Sequence, residues 1–281
     1  MGITLALTCT PYYLRRPTPG SHLAWAESSA VIYANSVLAS WTNREGGPSA
    51  LAAALIGKTP NYGIHQPENR EPSILIEVEP RLRRENEFGA LGIYVGKIIK
   101  DKVPVFSGLN KYSKADLKQL GAALASSGMA SIFHLFSNEK KNRNLEKITI
   151  ERKNLRETME ELSNSSNPPD LIFLGCPHCS LSEIKRISEE IKGRKVKEDV
   201  RLWVCTSRYV KNKSRRYVDV IEAAGGRVLC DTCAVVTWID KLGVDALMTN
   251  SAKTAYYAPT LNRVETIFAS MRECIDAACE S

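Results

Sequence analysis

Apolar and polar residues alternate along this chain in short blocks. From residue 170 the blocks fall into a regular order. Apolar runs of strand length occupy 170–174, 200–205, 227–230 and 246–249, and stretches with helical apolar spacing occupy 182–192 and 213–224. Strands alternating with helices over short connections predict a parallel, helix-flanked sheet for 170–281. The pattern closes with a loop carrying Ser251 and Lys253 and a helix over 262–279.

Upstream the blocks are less regular but of the same kind. Strand composition marks 73–78, 103–108, 131–135 and 148–151. A helix is predicted over 114–126, with Leu117, Leu120, Ala123 and Leu124 on one face, and another over 154–163, with Leu155, Met159 and Leu162 at helical spacing. The segment 88–99 is apolar and punctuated by glycines. Nearer the start, 21–39 reads as a helix and 42–49 as a polar loop with two glycines. A short apolar helix over 50–55 follows, with Ser49 as its N-cap. The apolar residues 3–7 read as a buried strand entering a loop at Cys9. The polar stretch 163–169 divides the chain into 1–165 and 166–281.

Composition narrows the class. The 281 residues, 43% hydrophobic and 25% charged, suit a globular chain able to bury its own core without crosslinks. The net charge of +7 comes from 38 basic against 31 acidic residues, with basic runs at 81–84, 97–102, 140–143 and 211–216. Such runs read first as solvated faces, and second as a modest positive field that draws in an anionic substrate. They belong to no nucleic-acid module. Apolar runs fall short of the roughly 18 residues of a membrane span, and the N-terminus lacks the marks of a signal peptide, so a cytoplasmic location is expected.

The candidate chemistry lies just after the strands, where open α/β sheets place their sites. Gly-Cys-Pro-His-Cys occupies 175–179 and Cys-Asp-Thr-Cys occupies 230–233. Two Cys-x-x-Cys pairs read as a four-thiolate zinc site, although 51 positions separate Cys179 from Cys230, a long gap for a compact zinc module. A redox pair, an iron–sulfur cluster held by some of these thiols, and simple buried thiols are the other readings. Cys205, Cys274 and Cys279 read as buried thiols. His22, His65 and His134 read as isolated structural or surface residues, and His178 stands apart only through its place inside the cysteine loop. Glu27-Ser28-Ser29 and the cluster 43–47 read equally as caps and turns or as ligand-binding groups. Lys253, at a strand end, reads as a solvent-facing lysine or as an anchor for a carboxylate or phosphate.

The order of these clusters resembles the aconitase X family. The likeness is carried by Cys9-Thr-Pro-Tyr, by 24–30 (Ala-Trp-Ala-Glu-Ser-Ser-Ala) and by Ala34-Asn-Ser. It continues through 42–51 (Thr-Asn-Arg-Glu-Gly-Gly-Pro-Ser-Ala-Leu), Thr59-Pro-Asn-Tyr-Gly, Gly175-Cys-Pro-His-Cys-Ser, Asp231-Thr-Cys and Asn250-Ser-Ala-Lys. The run 42–51 is the most specific of these, and the likeness covers nearly the whole chain.

The resemblance implies aconitase-like, multi-layer α/β domains with mostly parallel sheets. It implies a [4Fe–4S] cluster held by Cys9, Cys176 and Cys233, with Cys179 and Cys230 as alternates, and an open iron acting as Lewis acid. Glu27, Ser28 and Lys253 would contact substrate. The catalytic base is expected on a small swivelling-domain subunit, making a heterodimer. The implied reaction is hydro-lyase chemistry on a phosphorylated hydroxy acid, (R)-5-phosphomevalonate, giving trans-anhydromevalonate 5-phosphate in an archaeal mevalonate route. The alternatives are dehydration of another hydroxy acid such as cis-3-hydroxy-L-proline, and a non-catalytic cluster-binding or regulatory subunit. Family members carry a sizeable portion before Cys-Thr-Pro-Tyr, whereas this chain starts eight residues ahead of Cys9, so a form shortened at its N-terminus is expected. A second departure is the lysine-rich stretch 138–147.

Overall fold

A computed structural model describes residues 5–136 and 145–280. The chain divides into two compact units, one formed by Arg15–Thr158 and the other by Met1–Leu14 together with Met159–Ser281.

The Arg15–Thr158 unit contains α1 (Ser28–Ser36), α2 (Gly47–Ile56), β1 (Ile74–Val78), α3 (Glu85–Ile99), β2 (Pro104–Ser107), α4 (Lys114–Ser127), β3 (His134–Leu135) and β4 (Glu146–Ile150), and the chain leaves it along α5 (Arg152–Glu161). The strands pair in parallel in the order β3-β2-β1-β4. The core gathers Ile74, Ile76 and Val78 of β1 with Phe88, Leu91 and Val95 of α3 and Leu117, Leu120 and Leu124 of α4. The apolar stretch that contains Gly92 and Gly96 is therefore helical. Its glycines let α3 approach α4 closely: a Cβ on Gly92 would lie 2.5 Å from the Leu120 carbonyl oxygen.

The second unit holds β5 (Leu171–Leu174), α6 (Leu181–Ile191), β6 (Arg201–Thr206), α7 (Arg208–Lys213), α8 (Arg215–Ala223), β7 (Arg227–Cys230), β8 (Ala246–Thr249), α9 (Ala252–Leu261), β9 (Glu265–Phe268) and α10 (Met271–Ala278). Its sheet is parallel with the order β7-β6-β5-β8-β9. Central β5 is buried along its whole length, as expected of a strand covered on both faces. The expected α/β class with parallel, helix-flanked sheets is what the chain forms. No helix among the described residues is long and apolar enough to cross a membrane.

Several local expectations are corrected. Leu5 and Leu7 are exposed and not in a strand, so the apolar start does not form the buried strand expected over 3–7, of which residues 3 and 4 lie outside the described residues. The helix expected over 21–39 is only Ser28–Ser36, because 21–27 runs beside 41–44 through the bridges His22–Trp41 and Trp25–Arg44. The N-cap of α2 is Gly46 rather than Ser49. Pro48 suits the first turn, and the Ser49 hydroxyl instead donates to Glu45 Oε2 at 2.6 Å. The helix expected over 213–224 is α8, and a separate short helix, α7, precedes it, capped by the Ser207 hydroxyl accepting from the Val210 amide. The C-terminal helix is broken. Residues 265–268 pair with β8 as an edge strand, and the capping box of Ser270 and Glu273 starts α10. The basic run 140–143 and most of the lysine-rich stretch lie outside the described residues.

Candidate active site

In the five-stranded sheet the chain starts at β5, builds outward through β6 and β7, then returns to the other side of β5 with β8 and β9. The strand order thus reverses between β5 and β8. The carboxyl ends of those two strands flank the crevice where such sheets bind ligands. Gly175 follows β5 with φ of +111°, and a Cβ there would lie 2.2 Å from the Cys205 carbonyl oxygen, so this turn requires glycine. The turn delivers Cys176, next to a cis peptide bond with Pro177. After β8, Asn250 and Ser251 lead into α9, and the Ser251 hydroxyl caps that helix by accepting from the Thr254 amide at 3.1 Å. Lys253 therefore stands in the first turn of a helix, not in the expected loop.

Three of the cysteines meet here. Cys176 and Cys233 share a side-chain hydrogen bond, and Cys9 is close enough to act electrostatically on Cys233. The His178 amide donates to Cys9 Sγ at 3.2 Å. Buried His178 also ties the three loops together. Its Nε2 lies 2.9 Å from the Thr232 carbonyl, next to Cys233, and its Nδ1 lies 2.9 Å from Thr8 Oγ1, next to Cys9. A carbonyl only accepts, so Nε2 carries the proton, and in the neutral ring Nδ1 accepts from the Thr8 hydroxyl. His178 was the residue sequence reasoning undervalued. Its partners are 170 and 54 positions away, and no local pattern marks them.

The electrostatics separate the thiols. The hydrogen bond from Cys233 holds the Cys176 thiol below its usual range against burial, helped by the charge of Lys253 and by Thr254 and Ser251. Cys233, as donor of that bond and half-buried, is pushed up. Burial raises Cys205 and Cys230. The groups acting on Cys230 next to burial are Lys211 and Arg208 of α7 and the neighbouring Asp231, whereas Cys176 is acted on by Cys233, Lys253, Thr254 and Ser251. Cys179 packs into the apolar core with Ile184, Val204 and Val210, and its amide donates to the Cys205 carbonyl at 2.9 Å. Cys274 and Cys279 are buried in the same core, in keeping with their reading as buried thiols.

Glu27 and Ser28 lie in the Arg15–Thr158 unit. Glu27 is the N-cap of α1. Its Oε2 accepts from the Ala30 amide at 2.8 Å and from the Ser29 hydroxyl at 2.5 Å, while Ser28 is buried in the first turn. The cap reading of this cluster therefore holds for Glu27. Two histidines read as isolated form a pair: His22 Nδ1 and His65 Nδ1 are 2.8 Å apart with their rings stacked.

Among the described residues no three His, Cys, Asp or Glu side chains close around a single metal ion. A thiolate-held iron–sulfur cluster asks for something else, since each of its cysteines binds a different iron. The donor set fits that demand. Three thiols converge beside a lysine in a hydrogen-bonded frame, and at the same strand end Asn250 Oδ1 is buried without a hydrogen-bond partner among the described residues.

The chain matches the family models for the aconitase X first domain over residues 1–68, second domain over 72–160 and third domain over 169–280. It is 46% identical to the phosphomevalonate dehydratase large subunit of Methanocaldococcus jannaschii, over 98% of this chain and 72% of that protein. It is 32% identical to the cis-3-hydroxy-L-proline dehydratase of Hypocrea jecorina, over 100% of this chain and 51% of that one. The crystal structure of holo-form aconitase X from Thermococcus kodakaraensis superposes with a TM-score of 0.91 at 38% identity, covering 99% of this chain and 74% of that one. With its motifs, both sheets and all three domain matches in agreement, the chain belongs to the aconitase X family.

Proposed function

We propose that this chain is the large subunit of a hydro-lyase that removes water from (R)-5-phosphomevalonate to give trans-anhydromevalonate 5-phosphate in an archaeal mevalonate route. Its [4Fe–4S] cluster would be held by Cys9, Cys176 and Cys233. The observation that carries the reading is the convergence of these three thiols with Lys253 at the β5/β8 switch point. The relatives support the choice of substrate. Proteins named phosphomevalonate dehydratase large subunit share 46% to 35% identity with the chain, against 32% for those named cis-3-hydroxy-L-proline dehydratase.

When bound through three protein thiolates, a cluster supplies a Lewis-acidic iron with an open position for a departing hydroxyl. Lys253 offers a fixed positive charge to an anionic substrate group and favours thiolate at Cys176. His178 holds the three cysteine loops in register through Thr8, the Cys9 sulfur and Thr232. Glu27 and Ser28 are assigned to substrate contact. The base that takes the proton from carbon is assigned to a small swivelling-domain partner, in keeping with the words "large subunit" in the relatives' names. The chain's cysteines are free of disulfides, which supports a reducing, cytoplasmic setting.

The test is anaerobic reconstitution of the chain with iron and sulfide, then assay with the small subunit. Broad visible absorbance and dehydration of 5-phosphomevalonate are expected. A colourless, zinc-holding protein would sink the cluster assignment. Turnover of cis-3-hydroxy-L-proline in place of 5-phosphomevalonate would overturn the substrate.

A further inference from the structure

A cleft of about 630 Å³ opens in the Arg15–Thr158 unit, lined among others by His22, His65, Lys58, Thr59 and Asn61. Its volume lies in the usual range for a small-molecule site, roughly 300–1,000 Å³. The cleft is built rather than incidental. The bridge to Trp41 fixes His22, whose ring stacks between those of Trp41, at 5.5 Å, and His65, at 5.0 Å. His65 rides on a turn held by Asn43, which accepts from the Ile64 amide at 2.8 Å and donates to the Tyr62 carbonyl at 3.0 Å. Lys58 follows Gly57, the left-handed C-cap of α2.

The histidine pair has one chemical consequence. With Nδ1 facing Nδ1 at 2.8 Å, only one of the two atoms can carry a proton. The neutral pair therefore offers one Nε2–H donor, and the singly protonated pair offers two. His65 is 4% exposed, and its Nε2 has no hydrogen-bond partner among the described residues. His22, by contrast, is exposed, so solvent and ligand reach the pair. No carboxylate lines the cleft among the described residues, although Glu45 stands behind His65, partly occupied by Ser49 and Thr59.

We propose that this cleft binds a phosphate anion, free or as the phosphoryl group of a small ester, using exposed His22, backed by its hydrogen-bonded partner His65, as donor and Lys58 as counter-charge. A tetrahedral oxyanion matches converging N–H donors and a lysine. The assignment stands on the cleft alone and does not depend on the dehydratase reading. Burial and His22, with Arg70, hold His65 below its usual range, against the opposing pull of Glu45. A bound anion favours the protonated form of the pair over the neutral one, so proton uptake accompanies binding. Affinity must then rise as pH falls, by up to about tenfold per pH unit for one coupled proton.

The test uses the full chain and sulfate, whose charge stays constant from pH 5 to 8. Binding is followed by calorimetry and by the imidazole resonances of the four histidines. Sulfate should move the His22 and His65 signals and bind more tightly at pH 6 than at pH 8. Both H22A and K58M alter exposed side chains, and unchanged far-UV circular dichroism of each variant checks that the fold is kept. Each should weaken binding about tenfold, and H22A should also abolish the pH dependence. Inorganic phosphate and glycerol phosphate separate the two sources: tighter binding of the ester assigns the site to a phosphorylated metabolite, and equal binding assigns it to the free ion. Unmoved His22 and His65 signals, or equal affinity at the two pH values, would overturn the proposal.

Discussion

The two sheets of this chain share a plan and differ in what closes their switch points. In the four-stranded sheet the order reverses between β1 and β4, just as it does between β5 and β8 in the five-stranded one. Past β1 and β4 the crevice is filled by the protein's own charges. The Glu87 carboxylate accepts from the Arg83 and Arg84 amides and pairs with Arg152, which also donates to the Arg81 carbonyl. Past β5 and β8 stand Cys176, Ser251 and Lys253. A glycine device recurs too. Gly108 after β2 would place a Cβ 2.1 Å from the Val78 carbonyl oxygen, as Gly175 would against Cys205, but Leu109 follows the first and Cys176 the second. The backbone supplies the same geometry twice, and the residues grafted on the loops set the two copies apart.

The largest expected effect is from C176A, which should remove the visible absorbance and the dehydratase activity of the reconstituted protein while far-UV circular dichroism stays native. Retained absorbance would break the contrast between the two switch points. C179A, removing a thiol from an apolar core, should keep the absorbance and cost about 1 kcal/mol in denaturant unfolding.

Next comes the charge at each crevice. K253M should lower turnover about 10–100-fold with the fold intact, the size expected for losing one charged hydrogen bond. R152M at the other switch point should cost at most about 1 kcal/mol, because the arginine is 55% exposed, and should leave turnover unchanged.

The glycines test the shared backbone device. G175A and G108A should each destabilise by about 1–3 kcal/mol through the forced positive φ, with additional cost from the carbonyl clash. Only G175A should release iron faster to a chelator. Equal iron release from both would show that the site depends on overall stability rather than on the turn after β5.

The smallest effects come from the helix caps. S113A and S180A each remove a capping box, at the start of α4 and α6, and should each lower stability by about 1 kcal/mol without changing absorbance.

The alternation of apolar runs with helical spacing marked every strand of the second sheet except β9. That edge strand spans Glu265–Phe268, and a window of helical composition swallowed it until the pairing with β8 claimed it. The start of α9 was hidden for a related reason. Ser-Ala-Lys after a strand is as compatible with a loop as with a capped helix, and burial of Ala252 and Ala255 against the sheet decides for the helix.

The cysteines show where sequence stops. By itself it determined that thiol loops follow parallel strands, because motif and periodicity are local properties, while the choice of Cys9, Cys176 and Cys233 over Cys179 and Cys230 came only from the resemblance. Only the tertiary structure decided which thiols meet. Cys179 lies three residues from Cys176, yet it packs into the core against residues of α6 and β6, while Cys9 and Cys233 arrive from distant parts of the chain. The same holds for His178 and for the His22–His65 pair. A hydrogen bond closes over a few ångströms whatever the separation along the chain, and that closure is set by strand order and packing rather than by spacing.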